Sequence, residues 1–286
     1  MAQPVIGVIG GTGLYDMPDL TAVERIEVET PFGPPSDAIV RGTLAGRTVC
    51  FVPRHGVGHR LMPSEVPYRA NIFALKKLGV ERILSLSAVG SLRQEIRPGD
   101  IIVVDQFIDR TRQRRSTFFG DGLVGHIQFA DPVCPHLHDV VVLAAQQAGS
   151  HVHAGGTYVC IEGPAFSTRA ESHIYRGWGA AVIGMTNLTE AKLAREAEIC
   201  YTTIALATDY DCWHESEEDV SIDAIMAVLQ RNVAMSQQII RLAVPMIQAS
   251  RGCLCARAAE TAIITARDRI PDQRKQALAP LFGKYL

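Results

Sequence analysis

No stretch of this 286-residue chain approaches the roughly 20 uncharged apolar residues needed to span a bilayer. Its start lacks the basic residues, apolar run and cleavage site of a secretory leader, so a cytoplasmic location is the expectation. An excess of either charge is also missing. The 28 Lys and Arg against 30 Asp and Glu leave a formal net charge of -2, which gives no global attraction to nucleic acid or to a membrane surface. Any anionic ligand must be held by a local site. Cysteine is too sparse for a disulfide scaffold: the 7 cysteines are odd in number and scattered through expected strands (Cys50, Cys160, Cys200) and loops, which favours reduced thiols. Internal repeats and low-complexity tracts are absent as well.

With 47% hydrophobic and 20% charged residues, the chain can bury one large core but is short for two full domains. Short β-branched runs alternate with helical periodicities along most of it. Residues 4–9 read as a buried strand ending in the turn Gly10-Gly-Thr-Gly13. Residues 38–44 and 48–53 flank Ala45-Gly46 and read as a hairpin whose outgoing strand delivers Arg54-His55-Gly56. Helices are expected near 63–78, 135–148 and 188–198, and a long one over 221–247 with Ser221 as its N-cap. Strands are expected near 82–88, 100–105, 156–161, 181–184 and 200–208. This alternation predicts an α/β fold: a single domain with a central mixed, largely parallel twisted sheet flanked by helices, plus a helical C-terminal tail. The expected division is 1–249 for the domain and 250–286 for the extension.

Three local patterns carry chemistry. The Gly10 to Gly13 turn fits neither a dinucleotide fingerprint, because Asp16 stands where its last glycine belongs, nor a P-loop, because no Gly-Lys-Ser/Thr follows. Its backbone N–H groups and Thr12 could still cradle an anion, although a plain strand-ending turn explains it equally well. Arg54 could hold phosphate through two parallel charge-assisted hydrogen bonds, with His55 as a further donor; a surface ion pair and a core-edge histidine are the bland alternative. Asp209 and Asp211 follow an apolar strand two residues apart, so both could face one crevice, where desolvation and repulsion would raise at least one pKa. A protonated carboxyl there could donate to a purine ring nitrogen, and a carboxylate could accept from an exocyclic amine.

Other clusters read as less functional. The run 110–115, with four arginines, reads as a solvated loop rather than a nucleic-acid patch. His136-x-His138 and His151-x-His153 each lack a third clustered ligand in sequence, so no metal is expected. Cys253-x-Cys255 reads as a pair of free thiols.

Taken in order, Ile9-Gly-Gly-Thr-Gly13, Thr30-Pro-Phe-Gly33, Pro35-Ser-Asp37, Arg54-His-Gly56, the segment 99–110, Glu162-Gly-Pro164, Arg169-Ala-Glu-Ser172 and the segment 207–213 resemble the 5'-methylthioadenosine phosphorylase family, within the trimeric class of the purine nucleoside phosphorylase superfamily. The resemblance runs from Gly7 to about Ile247. It implies phosphate held by Thr12, Arg54, His55, Ser87, Ala88 and Thr186, and purine held by Phe166, Asp209 and Asp211, with Asp209 as proton donor at N7. It also implies Met185 under the ribose, and His59, Ile222, Ile225 and Met226 around the alkylthio group, joined by His126 from an adjacent subunit of a homotrimer. The implied reaction is phosphorolysis of a methylthio nucleoside, with phosphate as co-substrate and no metal or other cofactor. Ala165 and Gly184 depart from the animal members, which carry arginine and asparagine there, and this bears on how Phe166 and Met185 are seated.

The nearest rival is a phosphorylase for 6-oxopurine nucleosides or methylthioinosine. An ionised aspartate accepts from the adenine amine but cannot donate to a 6-oxo group, so the Asp pair favours adenine. A nucleoside hydrolase would not need the phosphate ligands. A non-enzymatic nucleotide-binding module would not need phosphate donors and base-edge acids together.

Overall fold

The computed structural model describes residues 3–11, 13–214 and 222–286, the side chains of 222–232 excepted. Among the described residues, eleven strands form one sheet. Its centre is β1 (Val5–Gly10), flanked in parallel by β4 (Arg47–Pro53) and β5 (Val80–Ser91). Outside β4 lie β3 (Ile39–Leu44) and β2 (Thr21–Ile26), both antiparallel. The β3–β4 turn is Ala45-Gly46, both at positive φ, the conformation that lets a two-residue hairpin follow the natural strand twist.

The long strand β5 divides the sheet. From Arg82 to Gly90 it runs parallel to β11 (Cys200–Asp209), and at its end it turns to pair antiparallel with β10 (Val182–Gly184). Beyond β10 come β9 (Thr157–Ile161) and β7 (Gln106–Arg110); beyond β11 come β6 (Ile101–Val104) and β8 (Val152–Ala154). Six of the ten pairings are parallel, which makes the sheet mixed but largely parallel, as the alternation of elements predicts. The β1 pairing on β5 ends at Ser85 and the β10 pairing begins at Gly90, which leaves a gap on that edge of β5 between the ends of β1 and β10, opposite β11. Ligands in open α/β sheets bind in such places.

Helices cover both faces. One core packs α2 (Pro135–Gln147) and the buried residues Ile239, Ile240, Ala243 and Val244 of α5 (Ile222–Met246) against Ile6, Val8, Val49, Phe51 and Leu84. The other packs α1 (Tyr68–Lys77) and α4 (Asn187–Glu196) against Ile9, Val52 and Ile83. Helix α1 begins five residues later than its periodicity suggests, after Pro67, whose ring and missing N–H suit the helix edge. A short helix, α3 (Arg169–Gly177), and the exposed strand β2 were not anticipated. Ser221, the expected N-cap, lies outside the described residues.

The tail is only partly helical. Two short 3-10 turns, Leu254–Arg257 and Arg267–Arg269, precede α6 (Asp272–Phe282), whose Leu278, Leu281 and Phe282 join the second core. The tail also clips residues 124–126: Ile264 N–H donates to Val124 O at 2.9 Å, and His126 N–H donates to Ala262 O at 2.9 Å. No described helix is long and apolar enough to cross a membrane.

Candidate active site

The segments carrying the expected ligands end around one gap: β1 into Gly10, β4 into Arg54, β5 at Ser87 to Gly90, β10 into Met185 and Thr186, and β11 at Asp209. Arg54 N–H donates to Gly10 O at 2.9 Å, which ties the glycine turn to the arginine loop. Thr12 lies outside the described residues. The Pro35-Ser-Asp37 motif braces this loop: Ser36 Oγ donates to Arg54 O at 2.7 Å, Asn71 holds Ser36, and Asp37 Oδ2 accepts from Val57 N–H at 3.0 Å.

Arg54 differs from its sequence reading. It is buried, and Nε and Nη2 donate to the two oxygens of Glu190 at 2.5 and 3.1 Å. Nη2 also reaches Ser85 Oγ at 2.7 Å, and Nη1 reaches Leu86 O at 2.7 Å. Of five guanidinium N–H groups, one is left without a partner among the described residues, so a bidentate grip on phosphate is not available in this state. The ion pair won because a buried cation needs a counter-charge whether or not ligand is bound. Glu190 is not among the site residues expected from sequence. It also accepts from Ser85 Oγ at 2.6 Å and Tyr201 OH at 3.0 Å, so four donors converge on one carboxylate.

His55 also departs from a simple donor role. Its Nδ1 lies 2.8 Å from Leu61 O, and a carbonyl can only accept, so Nδ1 carries the proton. Burial first, and the Arg54 charge second, pull its pKa down to about 4, which leaves a neutral ring whose Nε2 is an acceptor. His59 stacks on it, ring centroids 4.2 Å apart, and burial lowers its pKa too. Thr186 Oγ1 donates to Asn187 Oδ1 at 2.9 Å, at the start of α4, whose first-turn N–H groups favour an anion. Ser87 Oγ donates to Ala88 O at 3.1 Å and lies 3.3 Å from Tyr158 OH.

The two aspartates do share one crevice, although not by strand alternation. Asp209 ends β11, while Asp211 opens a 3-10 turn at φ 50, a left-handed conformation that swings it back. A Cβ placed on Gly90 would lie 3.0 Å from Asp209 Oδ1 and 3.2 Å from Asp211 Cβ, so both acids crowd that glycine. Asp209 Oδ1 accepts from Asp211 N–H at 2.8 Å, and Oδ2 accepts from Thr208 Oγ1 at 2.6 Å. Asp211 Oδ2 accepts from Ser172 Oγ at 2.5 Å. Ser172 is delivered by α3, which starts at a capping box between Thr168 and Glu171. Burial raises both carboxyl pKa values, and the Asp209 charge adds to the rise at Asp211. Each acid is thereby moved toward holding a proton.

Met185 is seated by neighbours that sequence reading took for solvated loop. The Arg114 side chain is buried, donating to Met185 O, to Glu162 O at 2.6 Å, to Glu162 Oε1 at 3.2 Å and to Tyr68 OH at 3.2 Å. Burial works against ionised Glu162, but Ser64, the N–H groups of Arg112 and Gln113, and Arg114 outweigh it and hold its pKa at about 2. Gly163 sits at φ 67, and a Cβ there would come within 2.6 Å of Met185 Sδ. The Glu162-Gly-Pro164 motif is thus a support for Met185. At Gly184 a side chain would collide with the Tyr158 hydroxyl, so Tyr158 fills the room an asparagine would need.

The remaining expected residues are less gathered. Phe166 is 45% exposed on the loop before α3, Ala165 beside it is exposed, and His126 is exposed on the segment clipped by the tail. Ile222, Ile225 and Met226 lie on α5, but their side chains are outside the described residues. His151 and His153 gain what their spacing lacked, since Asp100 Oδ2 lies 3.0 Å from His151 Nδ1 and 2.8 Å from His153 Nε2. Asp100 precedes β6, on the far side of the sheet from the gap.

Residues 5–245 match the model of the phosphorylase superfamily. A Geobacter sulfurreducens protein named S-methyl-5'-thioadenosine phosphorylase is 62% identical over 285 residues, 99% of this chain and 100% of that one. The chain belongs to this phosphorylase family. A crystal structure of a methylthioadenosine phosphorylase from an Antarctic soil metagenomic library is 51% identical, with a TM-score of 0.93 over 98% of this chain and 99% of that chain. Methylthioadenosine phosphorylase from Schistosoma mansoni, solved with adenine, is 35% identical, with a TM-score of 0.85 over 94% and 100%. The fold around the gap is therefore a phosphorylase fold, and the tail is shared along the full length of the Geobacter relative.

Proposed function

We propose that the chain catalyses phosphorolysis of 5'-methylthioadenosine to adenine and 5-methylthioribose 1-phosphate. The observation that carries this reading is the close pair of partly buried Asp209 and buried Asp211, whose carboxyl pKa values burial raises, beside the Arg54, His55 and Thr186 end of the same gap. One acid donates to N7 as the base departs, and the other accepts from the 6-amino group. Asp209 is assigned the donation. Met185, fixed by Arg114 and Gly163, supports the ribose, and Phe166 covers the base.

Phosphate is the nucleophile, held by Thr12, the remaining Nη1 hydrogen of Arg54, Ser87, Ala88, Thr186 and the α4 N-terminus. Neutral His55 accepts, through Nε2, the O–H of hydrogen phosphate. As the ribosyl centre gains oxocarbenium character, the anion stabilises it and then bonds to it, so catalysis is positioning plus electrostatics. This chemistry requires neither metal nor redox cofactor. The alkylthio pocket is assigned to His59, Ile222, Ile225, Met226 and the partner subunit's His126, in a cytoplasmic homotrimer.

The test is base release from methylthioadenosine, methylthioinosine, adenosine and inosine, each with and without inorganic phosphate. Phosphate-dependent adenine release, fastest from methylthioadenosine, is expected. Release that is indifferent to phosphate overturns the mechanism, and preference for the inosine compounds overturns the aspartate assignment.

A further inference from the structure

Four cysteines from three separate parts of the chain meet on the face of the sheet that carries α2, where the tail crosses. Cys134 immediately precedes α2, Cys200 is the first residue of β11, and Cys253 and Cys255 bracket the start of the 3-10 turn Leu254–Arg257. Their Sγ atoms all lie within 4.8 Å of one another, with Cys200 and Cys253 at 3.4 Å. A tetrahedral zinc ion with zinc–sulfur bonds of about 2.3 Å sets its four sulfurs roughly 3.8 Å apart, so shifts of about an ångström or less bring these four into that geometry. Three of them are buried and Cys253 is half-buried.

One buried cysteine is an ordinary small apolar side chain. Convergence of four, from three separate parts of the chain, is a ligand set. We propose that Cys134, Cys200, Cys253 and Cys255 bind one zinc ion as four thiolates, clipping the tail to the starts of α2 and β11.

The surroundings suit this charge. Four thiolates around a divalent ion carry two net negative charges. The α2 N-terminus offers its positive dipole end beside Cys134, and such an end favours thiolate. Arg82 and Arg251 line the same cleft, of about 310 Å³, as Cys134, Cys200 and Cys253. Both arginines also anchor the approach to Cys253: Arg82 donates to Gln248 O at 3.1 Å and to Ser250 O at 3.3 Å, and Arg251 donates to Glu198 O at 2.7 Å. The cleft gives an ion a way in, past the one cysteine that is not fully covered. Binding releases the thiol protons to solvent, with no oxidant needed. Two disulfides are the competing use of the same sulfurs, and reducing conditions disfavour them.

The test uses the full chain, purified with a phosphine reductant, loaded with zinc or cobalt(II) and desalted. About one ion per chain is expected, with thiolate-to-cobalt charge-transfer bands and the visible bands of tetrahedral cobalt. Cys253→Ser should lose these bands and at least about 100-fold in metal affinity. Base-release activity, measured alongside, should be retained in that variant, since no cysteine is in the proposed catalytic machinery, and this reports that it folds. If Cys253→Ser does not fold, the intensity of the cobalt bands of the unaltered chain still counts thiolate ligands, and fewer than three overturns the site. A reduced, active chain that takes up no stoichiometric ion overturns the proposal. So does a chain whose intact mass shows two disulfides and which binds no ion after reduction.

Discussion

The substitution Asp209→Asn separates proton donation from structure, because the hydrogen bonds around the side chain can be re-satisfied. The new amide oxygen can take the Asp211 N–H that now donates to Asp209 Oδ1 at 2.8 Å. The amide nitrogen then faces Thr208 Oγ1, which presently donates to Asp209 at 2.6 Å but also lies 3.2 Å from Val89 O. Thr208 can turn its proton to Val89 and accept from the amide, so the fold should lose no more than about 1 kcal/mol. Catalysis should lose far more. A positioned general acid contributes about 10²- to 10⁴-fold, or roughly 2.7–5.4 kcal/mol of barrier at about 1.36 kcal/mol per tenfold. The assay is kcat/KM for methylthioadenosine at saturating phosphate, with thermal unfolding alongside. Because burial raises the Asp209 pKa, activity of the unaltered enzyme should fall as pH rises through it, and this limb should vanish in the variant. A nucleoside already methylated at N7 leaves without a proton and should react with both enzymes at similar rates. Retention of more than about a tenth of kcat/KM in the variant, or a loss on the N7-methylated substrate as large as on the parent, overturns Asp209 as the proton donor.

Glu190→Gln should destabilise the chain by about 3–5 kcal/mol, because it strands the buried Arg54 charge and offers one oxygen to four donors. Phosphate KM should rise with it; urea unfolding and phosphate titration that both match the unaltered chain would contradict the pairing. Glu196 accepts from Phe118 N–H at 2.6 Å and Thr117 Oγ1 at 2.7 Å, yet burial raises its pKa from 4.5 to about 7. Its folded pKa exceeds its unfolded one, so roughly 3 kcal/mol of stability is present below about pH 4.5 and is lost as pH rises through about 7. Glu196→Gln should flatten that part of the stability profile, and an unaltered slope would remove Glu196 as its cause. Gly163→Ala should cost more than about 1 kcal/mol from its positive φ and push Met185 aside. Nucleoside KM should then rise while phosphate KM holds, and equal changes in both would argue that Gly163 does not act through Met185.

Local pattern was enough for what local physics decides. The hairpin at Ala45-Gly46, the strands β5 and β11, and the helices α2, α4 and α5 follow from periodicity and turn chemistry, within a few residues at their ends. The helix α3 was legible in principle, since Thr168 and Glu171 form a capping box, but its mostly exposed nine residues give little apolar signal. Strand β2 is exposed along its length except at Ile26 and so lacks the alternation that marks a half-buried strand. Partners distant in sequence were the real limit. Arg114 stands among four arginines, and only the fold brings Glu162 across 48 residues to bury it. Four scattered cysteines likewise become a cluster only when the tail returns to the sheet.

The same limit explains why the expected cationic grip on phosphate is not what the site presents. Residue types suggested an arginine and a histidine offering charge. The fold neutralises Arg54 with Glu190 and keeps His55 uncharged, so little free positive charge faces the anion. What remains is directional: one guanidinium N–H, hydroxyls, backbone N–H groups and a helix N-terminus. For a reaction in which phosphate is the nucleophile this has a kinetic logic. A dense cationic site would stabilise the free anion as much as the transition state and so lower its reactivity, whereas fixed dipoles orient it and leave its charge to answer the developing ribosyl cation. On this view Glu190 tunes nucleophilicity as well as stability, through its hold on Arg54.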